Sequence, residues 1–164
     1  MAFAGNVDEL ALLQSVRLKG AVTAPALAAQ LGVTESSAQA ALSALVEMGR
    51  AVADDAGAVT LTAAGTVELE HQLEAERVSI DEFLFAEVVE RFEPLDAEFA
   101  GAVADAGTRA DLDRRAADVF DDVSAYVPRL ARYQELLADT VEDPQAYAVV
   151  WAELRQEILS AAGR

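Results

Sequence analysis

Thr23-Ala24-Pro25-Ala26-Leu27-Ala28-Ala29-Gln30-Leu31-Gly32-Val33-Thr34 decides how this chain is read. Thr23 is a capping residue. Pro25 suits a first helical turn, where a missing amide hydrogen costs little. The helix this predicts, Ala24 to Leu31, is short and offers Leu27 and Leu31 for burial. Gly32-Val33 is a tight turn, and Thr34 caps a further helix. That helix is expected from about Glu35 to Met48, ended by Gly49. Its apolar positions Ala38, Ala41, Leu42, Leu45 and Met48 step by three and four, the spacing of one buried face.

Upstream, Asn6 and Glu9 form a capping-box pair that places a helix start near Val7. Leu10, Leu12, Leu13 and Val16 supply its apolar stripe, and Gly20 stops it. Ala21 to Thr23 is a short extended link. Downstream, Ala51-Val52-Ala53 and Ala58-Val59-Thr60-Leu61 flank Asp54-Asp55-Ala56-Gly57. Two short strands around a Gly/Asp turn predict a β-hairpin. Thr62 caps the helix after it.

Helix, short helix, tight turn, helix and hairpin is the winged helix-turn-helix order. Leu27 to Thr34 resembles the turn of many bacterial regulators. Leu61-Thr62-Ala63-Ala64-Gly65 resembles the Leu-Thr-x-x-Gly found after the wing in MarR-like regulators. The resemblance covers residues 6–72. It implies a MarR- or PadR-like regulator that binds DNA as a homodimer.

The second half predicts helix throughout. Ser79 with Glu82 offers a second capping box, marking either a break or a point inside one long helix. Phe85, Val88, Phe92, Leu95 and Phe99 step as a heptad seam does. Pro94 should end or kink that run near Phe92. Ala106-Gly107-Thr108 reads as a turn. A helix then carries Leu112, Ala116, Phe120, Val123 and Val127. Pro128 starts or kinks the next, with Leu130, Tyr133, Leu136 and Leu137. Asp143-Pro144 opens the last, with Tyr147, Val150, Trp151, Leu154 and Ile158. The expected fold is mainly α. A winged helix-turn-helix domain with a small hairpin wing spans 1–72, and an α-helical bundle for interaction or dimerisation spans 73–164.

Composition narrows the function. Of 164 residues, 53% are apolar and about a fifth are alanine, the best intrinsic helix former. The chain has no cysteine and one histidine, His71. A disulfide framework, a thiol nucleophile and a thiolate metal centre are therefore excluded. His71 sits near Glu68 and Glu70, and reads as a solvated or salt-bridged residue rather than a ligand. No stretch reaches the roughly 18–20 apolar residues of a membrane span. The opening Met1 to Leu13 carries acids and no base, unlike a secretory leader, so a cytoplasmic protein is expected. The aspartates of 111–122 lack EF-hand spacing. No phosphate loop, nucleophile elbow or His-Glu-x-x-His is present, so no catalytic residue, cofactor or metal is assigned and no enzyme activity is expected of the chain alone.

Charge bears on nucleic acid. The formal net charge is -17. Residues 1–72 hold three bases against eight acids, a net -5; residues 73–164 hold nine against twenty-one, a net -12. This balance argues against a broad basic DNA-binding face.

A second likeness covers most of the chain. Val16-Arg17-Leu18-Lys19-Gly20-Ala21-Val22-Thr23 resembles the start of a winged-helix segment in actinobacterial proteins related to phosphoenolpyruvate-utilising phosphotransfer enzymes. The helical region after that segment has an arginine-tyrosine pattern like Leu130-Ala131-Arg132-Tyr133. It closes on a tryptophan helix like Tyr147 to Leu154. This implies an accessory or regulatory module beside an enzyme. The catalytic phosphohistidine and nucleotide-binding parts are not in this sequence.

In a DNA binder the helix Glu35–Met48 would enter the major groove, where readout uses arginine, lysine, asparagine or glutamine. Ser36, Ser37, Gln39 and Ser43 are available there, with no cation. Arg50 at the hairpin base, and Arg17 and Lys19 at the end of the first helix, can reach a backbone or a partner. Arg17 and Lys19 equally complement the negative terminus of their own helix. The hairpin tip Asp54-Asp55 would repel phosphate. Arg114, Arg115, Arg129 and Arg132 are the densest cations of the second half; Arg129 and Arg132 are candidate anion or partner contacts, with pairing to nearby acids as the alternative. Phe85, Phe92 and Phe99 read as core or as a helical dimer interface, and Tyr126, Tyr133, Tyr147 and Trp151 as core or a ligand pocket. The reading these favour is a winged-helix interaction module. It would be an acidic accessory subunit whose partner is a protein, such as an enzyme subunit, or a second copy.

Overall fold

The computed structural model describes residues 3–102 and 104–164. Met1 and Ala2 of the opening stretch lie outside them. The chain is mainly helical, with one small antiparallel sheet. It divides into two compact units, Met1–Ala75 and Glu76–Arg164.

In the first unit, α1 spans Glu9–Lys19, α2 Ala24–Leu31 and α3 Glu35–Glu47. Strands β1, Ala51–Ala53, and β2, Val59–Leu61, come next, and α4 runs Ala63–Ser79. The expected α2 is met residue for residue. Gly32 ends it with φ 69°, a left-handed conformation that glycine adopts without a side-chain clash. Thr23 stands at its N-cap, yet its side chain accepts no capping hydrogen bond. Thr34 does cap α3, accepting from the Ser37 amide at 3.1 Å.

The start of α1 corrects the Asn6–Glu9 reading. Residues Ala4–Asn6 form a single 3-10 turn, and Asp8 caps α1 by accepting from the Ala11 amide at 2.8 Å. A carboxylate directly before the helix also complements its positive end. Leu12, Leu13 and Val16 are buried and Leu10 partly so. On α3, Ala38, Ala41, Leu42 and Leu45 are buried; Met48, expected on the same face, is the C-cap and stands half exposed. Beyond the last full turn, helical periodicity no longer dictates direction.

The sheet pairs Ala51 with Leu61, Val52 with Thr60 and Ala53 with Val59. The extended link before α2 joins it: the Val22 and Val59 amides donate to each other's carbonyls at 3.0 and 2.8 Å. The Leu-Thr-x-x-Gly run has a physical job here. The Thr62 hydroxyl donates to the Gly49 carbonyl at 2.7 Å and accepts from the Gly65 amide at 3.2 Å. A Cβ on Gly65 would stand 2.0 Å from the Arg50 carbonyl oxygen. Only glycine lets α4 start this close to the base of β1.

The second unit holds the end of α4 together with α5 (Glu82–Ala102), α6 (Ala106–Tyr126), α7 (Ala131–Thr140) and α8 (Pro144–Ala161). The break near Ser79 is present, but Asp81 makes the cap, accepting from the Phe83 and Leu84 amides at 3.1 and 3.0 Å. The Ser79 hydroxyl instead donates back to the Glu76 carbonyl at 2.6 Å. Pro94 does not end α5, which continues to Ala102. Pro94 and Glu90 both face solvent, so water can serve the carbonyl that the proline leaves without a donor. The apolar stripe before and after it, Phe92 and Leu95, stays buried and holds the helix through the defect. Ala106-Gly107-Thr108 is not a turn but the first turn of α6. Asp105 caps it, accepting from both the amide and the hydroxyl of Thr108 at 2.8 and 2.6 Å. At the other end of the unit, Asp143 caps α8 by accepting from the Gln145 and Ala146 amides, each at 3.1 Å.

Each unit has its own core. The first gathers Leu12, Leu13, Leu27, Leu42, Leu45 and Leu69. The second gathers Phe85, Phe92, Leu112, Phe120, Tyr147 and Trp151. Among the described residues no helix is long and apolar enough to cross a membrane.

Candidate interaction surfaces

Helix α3 presents Glu35, Ser36, Gln39, Ser43 and Glu47 to solvent. The Gln39 amide donates to the Ser43 hydroxyl at 3.1 Å, so these polar groups satisfy each other along one face. Ser37 is different. It is only half exposed, its amide serves the Thr34 cap, and the Thr34 hydroxyl donates to its own at 3.0 Å. The 3-10 turn before α1 lies against it: a Cβ on Gly5 would come within 2.3 Å of the Ser37 carbonyl. The start of α3 is therefore partly covered by the turn Ala4–Asn6.

The cations expected to serve this face are already engaged. Arg50 pairs with Glu9 and stands 3.8 Å from Glu68. Arg17 pairs with Glu70. Lys19 also has a partner within the protein. The hairpin tip is built on its acid: Asp54 Oδ1 accepts from the Ala56 and Ala58 amides, each at 2.9 Å. Asp54 is needed for the turn, and Asp55 beside it is exposed. The electrostatic result is a polar helix face and an acidic tip. Exposed apolar groups stand nearby in sequence, at Val46, Met48 and Val52.

In the second unit the candidate cations are likewise paired. Arg129 is nearly buried. Its guanidinium donates to both Glu76 carboxylate oxygens, at 2.8 and 2.9 Å, and lies 2.7 Å from Glu157, itself fully buried. Burial opposes the arginine's charge, but the Glu76 hydrogen bonds and the two carboxylate charges outweigh it and hold the guanidinium protonated. Arg132 pairs with Glu135 one turn on. Arg115 bridges Glu98 and Asp111, and Arg114 pairs with Asp111. These arginines pair with the bundle's own acids.

The aromatic seam is core. Phe85 and Phe92 are buried, and Phe99 lies flat on Trp151 with ring centres 4.7 Å apart. Trp151 meets Phe120 edge-on at 5.5 Å. Sequence reasoning missed the polar edge of this cluster. The Trp151 indole donates to Asp96 Oδ1 at 3.0 Å, and Arg155 donates to Asp96 Oδ2 at 2.7 Å. The Tyr147 hydroxyl donates to Asp113 at 3.0 Å. Buried Arg109 donates to the Val141 carbonyl at 2.9 Å. Asp96 and Asp113 are each sequence neighbours of a buried leucine, Leu95 and Leu112, the only sequence signal of this role.

Among the described residues no group of His, Cys, Asp or Glu is arranged to hold a metal ion. His71 is exposed on α4. No family model, curated protein or solved structure matches this chain.

Proposed function

We propose that residues 1–72 form a winged helix-turn-helix used for protein contact, and that the protein is a non-catalytic acidic accessory or regulatory subunit. The order α1, α2, α3, β1, β2 supports the winged-helix reading. One observation carries the function: among the described residues, the face that would meet DNA has no available cation. Arg50, Arg17 and Lys19 are each engaged within the protein, the exposed polar residues of α3 are serine, glutamine and glutamate, and the tip is Asp54-Asp55. Neutralised phosphates supply most of a DNA binder's affinity, and each cation described near this face is already paired with an acid or otherwise engaged. The likeness to the winged-helix and helical module of phosphoenolpyruvate-utilising phosphotransfer enzymes points to such an enzyme as the partner to test first.

The DNA-binding homodimer is the second reading, favoured by the exposed Ser36, Gln39 and Ser43 on α3. Titration with sheared duplex DNA at about 50 mM salt, where non-specific contacts are strongest, separates the two. The expected result is no binding at about 100 μM duplex. Binding tighter than micromolar, falling steeply with salt and weakened by Arg50→Ala, sinks the protein-contact reading.

A further inference from the structure

The second unit leaves three large apolar side chains exposed close together in the chain, where α4 ends and α5 begins. Phe83 is 84% exposed, Val78 77% and Leu84 48%. All three stand where α4 gives way to α5 through Ile80 and Asp81. The buried stripe of α5 runs through Phe85, Val88, Val89 and Phe92, and Phe83 and Leu84 fall off it. Yet they are not loose. The Asp81 carboxylate accepts from both of their amides, which fixes the first turn of α5 and holds the two side chains on an ordered helix start. Presenting apolar groups this way costs little further ordering when something binds them.

The rim of the cluster specifies the partner. Glu82 is next to Phe83, Glu87 is one turn beyond Phe83 and Leu84, and Glu90 continues the row. All three are exposed, and none makes an ion pair among the described residues. That contrasts with Glu76, Glu98, Asp111, Asp122 and Glu157, which are paired to arginines. An apolar centre with an uncompensated acidic edge is complementary to the reverse pattern. A second copy of this chain would bring acid against acid, on top of a net charge of -17 each. An anionic lipid surface would be repelled for the same reason.

We propose that the α4–α5 corner is a docking surface for a cationic amphipathic helix of a partner protein, its apolar residues on Val78, Phe83 and Leu84 and its lysines or arginines on Glu82, Glu87 and Glu90. The surface gives the protein-contact reading above a second, separately testable site, and rests on it only in taking the chain to work through protein partners.

A labelled leucine-lysine amphipathic peptide of about 18 residues, long enough to hold a helix, is the probe. Fluorescence anisotropy with the full chain should show binding that weakens between about 50 and 300 mM salt. The Phe83→Ser, Leu84→Ser double variant should lower affinity about tenfold or more, as loss of an apolar anchor does. Glu87→Gln with Glu90→Gln should lower it several-fold, and a leucine-glutamate peptide should not bind. Unchanged affinity in the serine variant means generic attraction to an acidic protein and overturns the proposal. So does a dimer in sedimentation velocity that Phe83→Ser disperses, because the occupant is then a second copy. If the serine variant does not fold, Glu87→Lys with Glu90→Lys decides: full affinity there is equally fatal. DNA binding alongside intact, Phe83-dependent peptide binding would sink the winged-helix contact reading and leave this one standing.

Discussion

Gly65 shows how a single missing atom sets the first unit. The Arg50 carbonyl occupies the space a Cβ would need, 2.0 Å away, and that neighbour is backbone. Gly65→Ala must push α4 from the base of the hairpin. We expect a loss of about 2 kcal/mol, in the range of core overpacking, read as a lower denaturant midpoint. Tyr147 makes the corresponding case in the bundle. Burial pushes its phenol up, and the charge of Asp113, which accepts its hydrogen bond, adds to the rise; Arg109 opposes it weakly. The folded state thus keeps this proton longer than the unfolded chain. The stability it contributes is complete below the ordinary phenol range, near pH 10, and is lost as pH rises above it. Tyr147→Phe should cost about 1 kcal/mol at neutral pH through the lost hydrogen bond. The same variant should show a flatter fall in melting temperature above about pH 10, measured by calorimetry.

At the scale of elements, helix starts are governed by whichever carboxylate or hydroxyl can reach a free amide. Asp8, Asp81, Asp105 and Asp143 all win that competition. Capping-box patterns at Asn6–Glu9 and Ser79–Glu82 identify the right neighbourhood and the wrong residue, because an aspartate stands closer to each helix. Pro94 is the reverse case. Local propensity says stop, but Phe92, Leu95 and Phe99 on the inner side gain more from continued burial than one lost hydrogen bond costs. Pro94→Ala restores that bond on the solvent side. It should stabilise the protein by about 2 kcal/mol, less the small gain the proline gives by restricting the unfolded chain. Urea unfolding with an unchanged m-value would bear this out; a destabilised variant would show that the proline itself is needed for packing.

Over the whole molecule, charge is the dominant feature. Arginine pairs neutralise some acids, and the surplus stays on the surface, as at Glu82, Glu87 and Glu90. Self-repulsion of this kind is screened by salt, while the exposed ion pairs that salt also weakens are each worth little. The melting temperature should therefore rise between about 20 and 500 mM sodium chloride. A fall would mean that the arginine pairs, not the unpaired acids, dominate the balance.

The order of elements through the hairpin was legible from residues alone, and α2 to the residue. Caps, glycine stops and three-four spacing act within about one helical turn, so they are written locally. The roles of the cations were not. Arg129 looks like an anion site beside its neighbours, but Glu76, which neutralises it, is 53 residues away. Phe83 and Phe85 are near-identical in sequence context, yet one is exposed and the other core, because the direction of α5 against its neighbours decides which face is buried. Whether a side chain is a site or a structural pair depends on partners distant in the chain, and only packing brings those together.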